Sequence, residues 1–409
     1  MDEGRKFYTR LNQRWILDAL IGIGGWDILH PTIRGFSEET GYYHGDVDRV
    51  FSKVGSTQHL PEAFSTTAQE VEIKARWSEA RGFRLGAADL YARAMVLYGR
   101  AQYGFYSDHP LKKVFHGKSV QCFEKMVELG IDKVERVILD FEGKKLYGIY
   151  SAPPGNGPFP LLMLGPGMDM FKEDWVFIMK RYFIPMGFAC IAFDGPGQGE
   201  SLLHGLKMTL DNYERAASAF FDWAEKRKEV DPKKFVFLGV SYGCYTAHRI
   251  AAYDKRLKAF ATGMSTFGNF WYTFETAQPN FKLNHMYMTG YTDEEKYNEE
   301  IMYRMPLGDL VKKVECPNLI THGEYDELTK IDEVFESFEK TPPPKELWVY
   351  GREYHPMGGV GRDFLSNAGD WLIAALDGKF PQSMDRRVFF GKDGNIIEGT
   401  GQPYWWSPK

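Results

Sequence analysis

Ser241 stands at the centre of Gly239-Val240-Ser241-Tyr242-Gly243, and two groups able to activate it follow later in the chain: Asp326, within Glu324-Tyr325-Asp326, and His355, within Arg352-Glu353-Tyr354-His355-Pro356. A serine hydroxyl is a weak nucleophile at its own pKa. It needs a base to take its proton and a carboxylate to orient that base. Asp326 is the expected acid, with Glu324 the weaker candidate because it lies closer to the preceding apolar run. His355 is the expected base. His248 follows Ser241 by about two helical turns and would point away from its Oγ, and His322 precedes the acid, out of order for this chemistry.

The elements that must position these groups can be read around them. Residues 235–240, FVFLGV, form a short apolar run, and CYTAHRIAAYD after the pentapeptide is helix-compatible. A serine on a tight strand-to-helix turn needs small residues two positions to either side. The turn exposes Oγ at the carboxyl edge of a sheet, beside the unsatisfied amides that open the helix. The pentapeptide alone has modest specificity, and the flanking pattern strengthens it. PNLITHG precedes the acid segment and ELWVYG precedes the base segment, so all three groups fall at the ends of predicted strands, in the Ser, Asp, His order of the α/β-hydrolase fold.

Acyl chemistry also needs two backbone N–H donors for the developing oxyanion. Tyr242, the residue after the nucleophile, is expected to supply one. The other is expected from Gly165-Pro166-Gly167-Met168-Asp169, which follows the run PLLMLG; Met168 is the first candidate and Gly167 the next. The run Asp194-Gly195-Pro196-Gly197-Gln198-Gly199-Glu200-Ser201 looks like a dinucleotide loop but lacks the G-x-G-x-x-G spacing, and is read as a structural turn. No cofactor is expected. Nor is a metal, since no H-x-x-H or carboxylate cluster occurs.

From Gly143 onward short apolar runs alternate with amphipathic stretches, the pattern of a mostly parallel sheet. Eight strands are predicted: VERVILDF and KLYGIYSA as an antiparallel pair around Glu142-Gly143-Lys144, then PLLMLG, GFACIAFD, FVFLGV, LKAFATG, PNLITHG and ELWVYG. Residues 1–133 read instead as a helical region. In ADLYARAMVLYGRAQYGFY, Leu90, Ala94, Leu97 and Ala101 recur on one helical face while Arg93 and Arg100 fall elsewhere. This region is expected to cap the active site, to pair with a second copy, or both. The catalytic unit is expected over 134–384. Within it, residues 267–306 are dense in Phe, Tyr, Trp and Met and are read as a lid or pocket wall, or as packing against the helical region. Residues 385–409 are read as an ordered arm.

The chain has 409 residues, a net charge of −5, 15% aromatic residues and ten Trp. It can bury a full core without disulfides. The aromatic excess is core material or the lining of a pocket for a bulky apolar ligand. No concentration of Lys and Arg could follow a phosphate backbone, which argues against nucleic acid. The four cysteines (Cys122, Cys190, Cys244 and Cys316) are scattered and read as reduced, with Cys244 packed beneath the turn at Ser241. The charged start MDEGRKFYTRLNQRW and the lack of any run of about 18 apolar residues point to a cytoplasmic protein with no membrane partner.

Taken together, ADLYARAMVLYGRAQYGFY, VERVILDFEGKKLYGIYSAPPG, GPGMDMFKED, AFDGPGQGES, GVSYG, HGEYDEL and REYHP resemble the 2,6-dihydroxypseudooxynicotine hydrolase-like α/β-hydrolases, which are related to FrsA-like esterases. The resemblance implies an N-terminal helical domain over the active site, a homodimer, and hydrolysis of a carbon-carbon bond beside a ketone. It also implies an auxiliary glutamate at Glu173, for which the alternative is a surface residue opening a helix. The usual Gly-Gly-Leu after the third strand is Gly-Pro-Gly-Met here, a departure that bears on the second oxyanion donor. Members also include ester hydrolases and enzymes of fungal polyketide pathways. The leading expectation is retro-Claisen cleavage of a bulky, partly aromatic small molecule. The alternatives are a carboxylesterase or lactonase, a non-hydrolytic condensation or cyclisation catalyst, and a ligand-binding pseudoenzyme.

Overall fold

The computed structural model describes residues 9–25, 28, 30–130 and 133–399. Its centre is one mixed sheet built from β1 (Val134–Phe141), β2 (Lys144–Ser151), β3 (Phe159–Gly165), β4 (Ala189–Asp194), β5 (Val230–Val240), β6 (Leu257–Gly263), β7 (Asn318–Gly323), β8 (Lys345–Tyr350), β9 (Asp385–Phe390) and β10 (Ile396–Gly399). The spatial order is β1-β2-β4-β3-β5-β6-β7-β8-β9-β10. β1 and β2 pair antiparallel about a turn in which Glu142 and Gly143 both take positive φ, 49° and 74°. β2 runs antiparallel to β4, and the strands from β4 to β9 are parallel to one another.

The interior strands are apolar on both faces because helices cover both. Leu161, Met163, Phe235 and Phe237 meet Phe220, Phe221, Ala247 and Ile250 of the helices Asn212–Ala224 and Tyr242–Tyr253. The alternate residues Leu162, Leu164, Val236 and Leu238 belong to a second core with Phe364, Leu365 and Leu372 of the helix Gly361–Leu376. That core continues without a break into Ala68, Val71, Ala94 and Leu97 of the N-terminal helices Leu60–Ala80 and Arg84–Ala101. The helical region is therefore packed onto the sheet.

The sheet has ten strands where the sequence predicts eight. The two additional strands come from the segment read as an arm: β9 adds parallel to β8, and β10 folds back on β9 past Gly394. They cover what would otherwise be an open edge of β8. The remainder of that arm, 400–409, lies outside the described residues. Residues 267–306 hold three short helices, Phe270–Thr276, Pro279–Thr289 and Glu294–Glu300, which bury most of their aromatic and methionine side chains. Among the described residues no helix is long and apolar enough to cross a membrane.

β3 and β5 are neighbours, with Gly165 opposite Gly239. The loop after β3 thus emerges beside the turn after β5.

Candidate active site

Ser241 links β5 to the helix Tyr242–Tyr253 with φ 54° and ψ −115°. A side-chain-bearing residue in such a conformation costs of order 1–3 kcal/mol. The flanking glycines make the turn possible. A Cβ on Gly239 would stand 2.4 Å from the Gly243 carbonyl oxygen, and one on Gly243 would stand 2.4 Å from that of Gly165. Ser241 N–H donates to Gly263 O at 2.8 Å, which ties the turn to β6, and the buried Cys244 closes it by donating its amide to Ser241 O at 2.8 Å.

Three side chains from three strand ends meet here. His355 Nε2 lies 2.8 Å from Ser241 Oγ, and His355 Nδ1 lies 2.8 Å from Asp326 Oδ2. With an ionised Asp326, Nδ1 carries the proton and Nε2 is left to accept one from the serine. Asp326 Oδ1 accepts the amides of Leu328 and Thr329, each at 2.8 Å, so the carboxylate cannot rotate away. Burial pushes the Asp326 pKa up, but the charge and hydrogen bond of His355, with smaller help from His322 and the Thr329 amide, hold it below the usual carboxylate range. For His355 burial pulls the other way, downward, and the attraction of Asp326 outweighs it, so its pKa is raised. The raised value suits a base that, once neutral, readily takes and holds the serine proton.

The other histidines near the site have structural partners. His248 is buried, with Nδ1 2.9 Å from Cys244 O. His322 donates Nε2–H to Thr329 O at 3.1 Å and sets Nδ1 3.6 Å from Asp326 Oδ2. Glu324 accepts the amide of Arg352 at 2.8 Å, which spends its carboxylate on the loop that carries His355.

Above Ser241 lies a cavity of about 130 Å³, lined by Gly167, Met168, Asp169, Tyr242 and His355, by Arg100 and Tyr103 of the N-terminal region, and by Phe270, Phe274, Asn280 and Phe281 of the segment 267–306. A cavity of roughly this size holds a group as large as one aromatic ring. Tyr242 is the first residue of its helix, so its amide has no carbonyl one turn back to bond. Its ring is fixed from behind: the hydroxyl lies 3.2 Å from Nε2 of His285, whose Nδ1 is 2.8 Å from Tyr297 Oη. Met168 lines the same space.

Glu173 does not line this cavity. Its Oε1 lies 2.7 Å from Lys172 Nζ, which also reaches Asp194 Oδ2 at 2.9 Å and Glu200 Oε2 at 3.0 Å. The 3-10 turn Lys172–Asp174 carries the glutamate into this buried cluster, where the lysine holds it. The alternative reading of an exposed glutamate fares no better, because Glu173 is buried. The carboxylate of that loop which does reach the cavity is Asp169, with Oδ2 3.2 Å from Arg100 Nη1. Its place directly beside the expected oxyanion donor is the one sequence signal for it. Glu327, for which the sequence holds no signal beyond its place next to Asp326, accepts the amide of His355 on Oε2 at 2.9 Å, while Oε1 lies 3.0 Å from Nδ1 of His30. Among the described residues, no group of His, Cys, Asp and Glu side chains could hold a metal ion.

Comparison with known proteins agrees with this architecture. A model of the prolyl oligopeptidase family matches residues 175–372. The chain has the α/β-hydrolase fold, and its sequence is similar to 2,6-dihydroxypseudooxynicotine hydrolase-like and FrsA-like enzymes. It is 28% identical over 273 residues to 2,6-dihydropseudooxynicotine hydrolase of Paenarthrobacter nicotinovorans, a match covering 66% of this chain and 72% of that one. It is 28% identical over 234 residues to the alpha/beta hydrolase xenA of Xenoacremonium sinensis, covering 54% of this chain and 55% of the relative, so the match spans little more than half of that fungal protein. A crystal structure of 2,6-dihydroxy-pseudo-oxynicotine hydrolase has the same fold, with a TM-score of 0.75 and 24% identity over 86% of this chain and 98% of that one.

Proposed function

We propose that the protein is a serine hydrolase in which Ser241 attacks a carbonyl, His355 is the general base and then the general acid, and Asp326 orients and stabilises the imidazolium. The observation that carries this reading is the unbroken chain Ser241 Oγ to His355 Nε2, and His355 Nδ1 to Asp326 Oδ2, both links at 2.8 Å. The amides of Tyr242 and Met168 receive the oxyanion. The substrate is a small molecule whose aromatic or other bulky apolar part enters the cavity, because Phe270, Phe274 and Phe281 wall the mostly apolar space that also holds Ser241 and His355.

The bond broken is a carbon-carbon bond beside a ketone. Ser241 Oγ adds to the ketone as its proton passes to His355 Nε2. The C–C bond then breaks, its electron pair leaves as the enolate of the neighbouring carbonyl, and His355 returns the proton to carbon. Water, activated by the same base, hydrolyses the acyl-enzyme to an acid and free Ser241. The relatives support this reading, as does the mostly apolar cavity, where an enolate forms with little bulk water to intercept it. Asp169, beside Arg100, is the carboxylate available to hold the substrate's polar end.

Ester or lactone cleavage is the second reading. It is favoured by the position of Glu173 outside the cavity, since an alkoxide leaving group takes its proton from His355 with no further acid. Incubation with a β-diketone and with the matching ester in H₂¹⁸O decides between them. Label in the acid released from the diketone, at a rate above that for the ester, supports the first reading; an inert diketone and a hydrolysed ester support the second.

A further inference from the structure

The loop after β3 is held carbonyl by carbonyl. Gly167 O accepts Gln198 Nε2–H at 2.9 Å, the shorter of its two bonds beside the Met170 amide at 3.2 Å; Met168 O accepts Asn284 Nδ2–H at 3.2 Å, and Asp169 O accepts Arg100 Nη1–H at 3.0 Å. The three donors come from three parts of the molecule: the turn after β4, the helix Pro279–Thr289, and the N-terminal helix Arg84–Ala101. In a trans peptide the carbonyl oxygen and the next N–H point in opposite directions. Fixing Gly167 O on Gln198 therefore fixes where the Met168 amide points.

The Gln198 amide is itself oriented. A carbonyl oxygen can only accept, so the end facing Gly167 must be the NH₂ group, and the other end, Oε1, accepts from Tyr213 Oη at 2.7 Å. Gln198 and Tyr213 are each only 2% exposed. The surrounding glycines make room for this arrangement. A Cβ on Gly195 would stand 2.3 Å from the Tyr213 ring, and one on Gly199 would stand 2.2 Å from the carboxylate of Asp194. That carboxylate anchors the turn by accepting the amides of Lys172 at 2.9 Å and Glu200 at 2.8 Å. Gln198 is absent from the cavity lining, so it meets the substrate only through the peptide it holds.

We infer that Gln198, oriented by Tyr213, is a positioning residue that aims the Met168 amide at the oxyanion formed on Ser241. The inference rests on the serine-hydrolase reading above. The segment that looks like a phosphate-binding loop thus serves to preorganise an oxyanion donor. The work of a positioning residue is done in the transition state, so its loss lowers kcat and leaves KM nearly alone.

The test uses the full-length protein, a p-nitrophenyl ester and a fluorophosphonate to count active serines. Gln198→Met keeps the length of the side chain and removes the donor. Per active serine, kcat is expected to fall about 10- to 100-fold with KM changed by less than about threefold, a smaller loss than the roughly 10²–10³ seen when an oxyanion donor itself is deleted. Tyr213→Phe, which removes one hydroxyl, is expected to give about a three- to tenfold loss in the same sense. Affinity for a trifluoromethyl ketone, which forms the same oxyanion on the serine, is expected to weaken in step with kcat. The inference is overturned if both variants keep kcat per active serine within twofold of wild type, or if the loss follows only the number of active serines. Failure of the wild-type protein to react with the fluorophosphonate would instead remove the hydrolase reading beneath it.

Discussion

Glu327 accepts the backbone amide of His355 at 2.9 Å while its neighbour Asp326 holds the imidazole of the same residue at 2.8 Å. Adjacent carboxylates on one loop thus fix both the main chain and the ring of His355. Glu327 Oε1 also meets His30 Nδ1 at 3.0 Å, linking the His355 loop to the N-terminal region. Glu327→Ala is expected to lower kcat by about tenfold, because small displacements of a catalytic group are costly. Steady-state kinetics beside those of Asp326→Asn checks this; Asp326→Asn is expected to lose about 10⁴-fold by favouring the wrong tautomer.

The pH profile follows from the direction of the His355 shift. Its pKa is raised above the usual 6.5, and only the neutral imidazole can take the serine proton, so activity is lost as pH falls through that raised value. The acid limb of kcat/KM is therefore expected to have its midpoint above 6.5. In Asp326→Asn, which removes the attracting charge, the limb is expected to move down. A profile from pH 5 to 9 measures both.

Glu173→Gln separates chemistry from structure. Glu173 is paired with Lys172 outside the cavity, so kcat on either a diketone or an ester is expected to stay within about twofold of wild type. Lys172 keeps Asp194 and Glu200 as charged partners, and the glutamine oxygen can still accept its proton, so the melting temperature is expected to fall by a few degrees only, for a loss of about 1–2 kcal/mol. A large loss of turnover at unchanged melting temperature would restore a chemical role to this glutamate.

We propose that the homodimer implied by the resemblance pairs through an exposed apolar patch of the N-terminal helices. Ile73, Trp77, Phe83 and Leu85 are exposed on the N-terminal helices Leu60–Ala80 and Arg84–Ala101 and the turn that joins them. Light scattering is expected to give twice the chain mass of 47.0 kDa, and Trp77→Asp with Leu85→Asp is expected to give the single mass.

The strands, the turn at Ser241 and the order of its partners were legible because each is encoded locally: an apolar run, glycines two residues to either side, a group just past a strand end. What sequence could not give depends on distant segments meeting. Arg100 looked like a residue off the apolar face of its helix, yet it is the one that reaches the Asp169 carbonyl. Gln198 lay in a run read as a turn, and its role appears only when Gly167 is beside it. Glu173 was placed by resemblance, and a single 3-10 turn carried it out of the cavity. Strands β9 and β10 were missed because Asp and Arg residues and a turn at Asp393-Gly394 interrupt the apolar pattern of an edge hairpin.

The proposed function requires Ser241 to act as a nucleophile activated by His355. Fluorophosphonate labelling followed by peptide mass spectrometry tests this most directly, with Ser241→Ala and His355→Ala beside wild type. The expected result is one adduct on Ser241 in the wild-type protein, none in Ser241→Ala, and labelling slowed by at least about 10³-fold in His355→Ala. An unlabelled Ser241, or equal rates with and without His355, would contradict it.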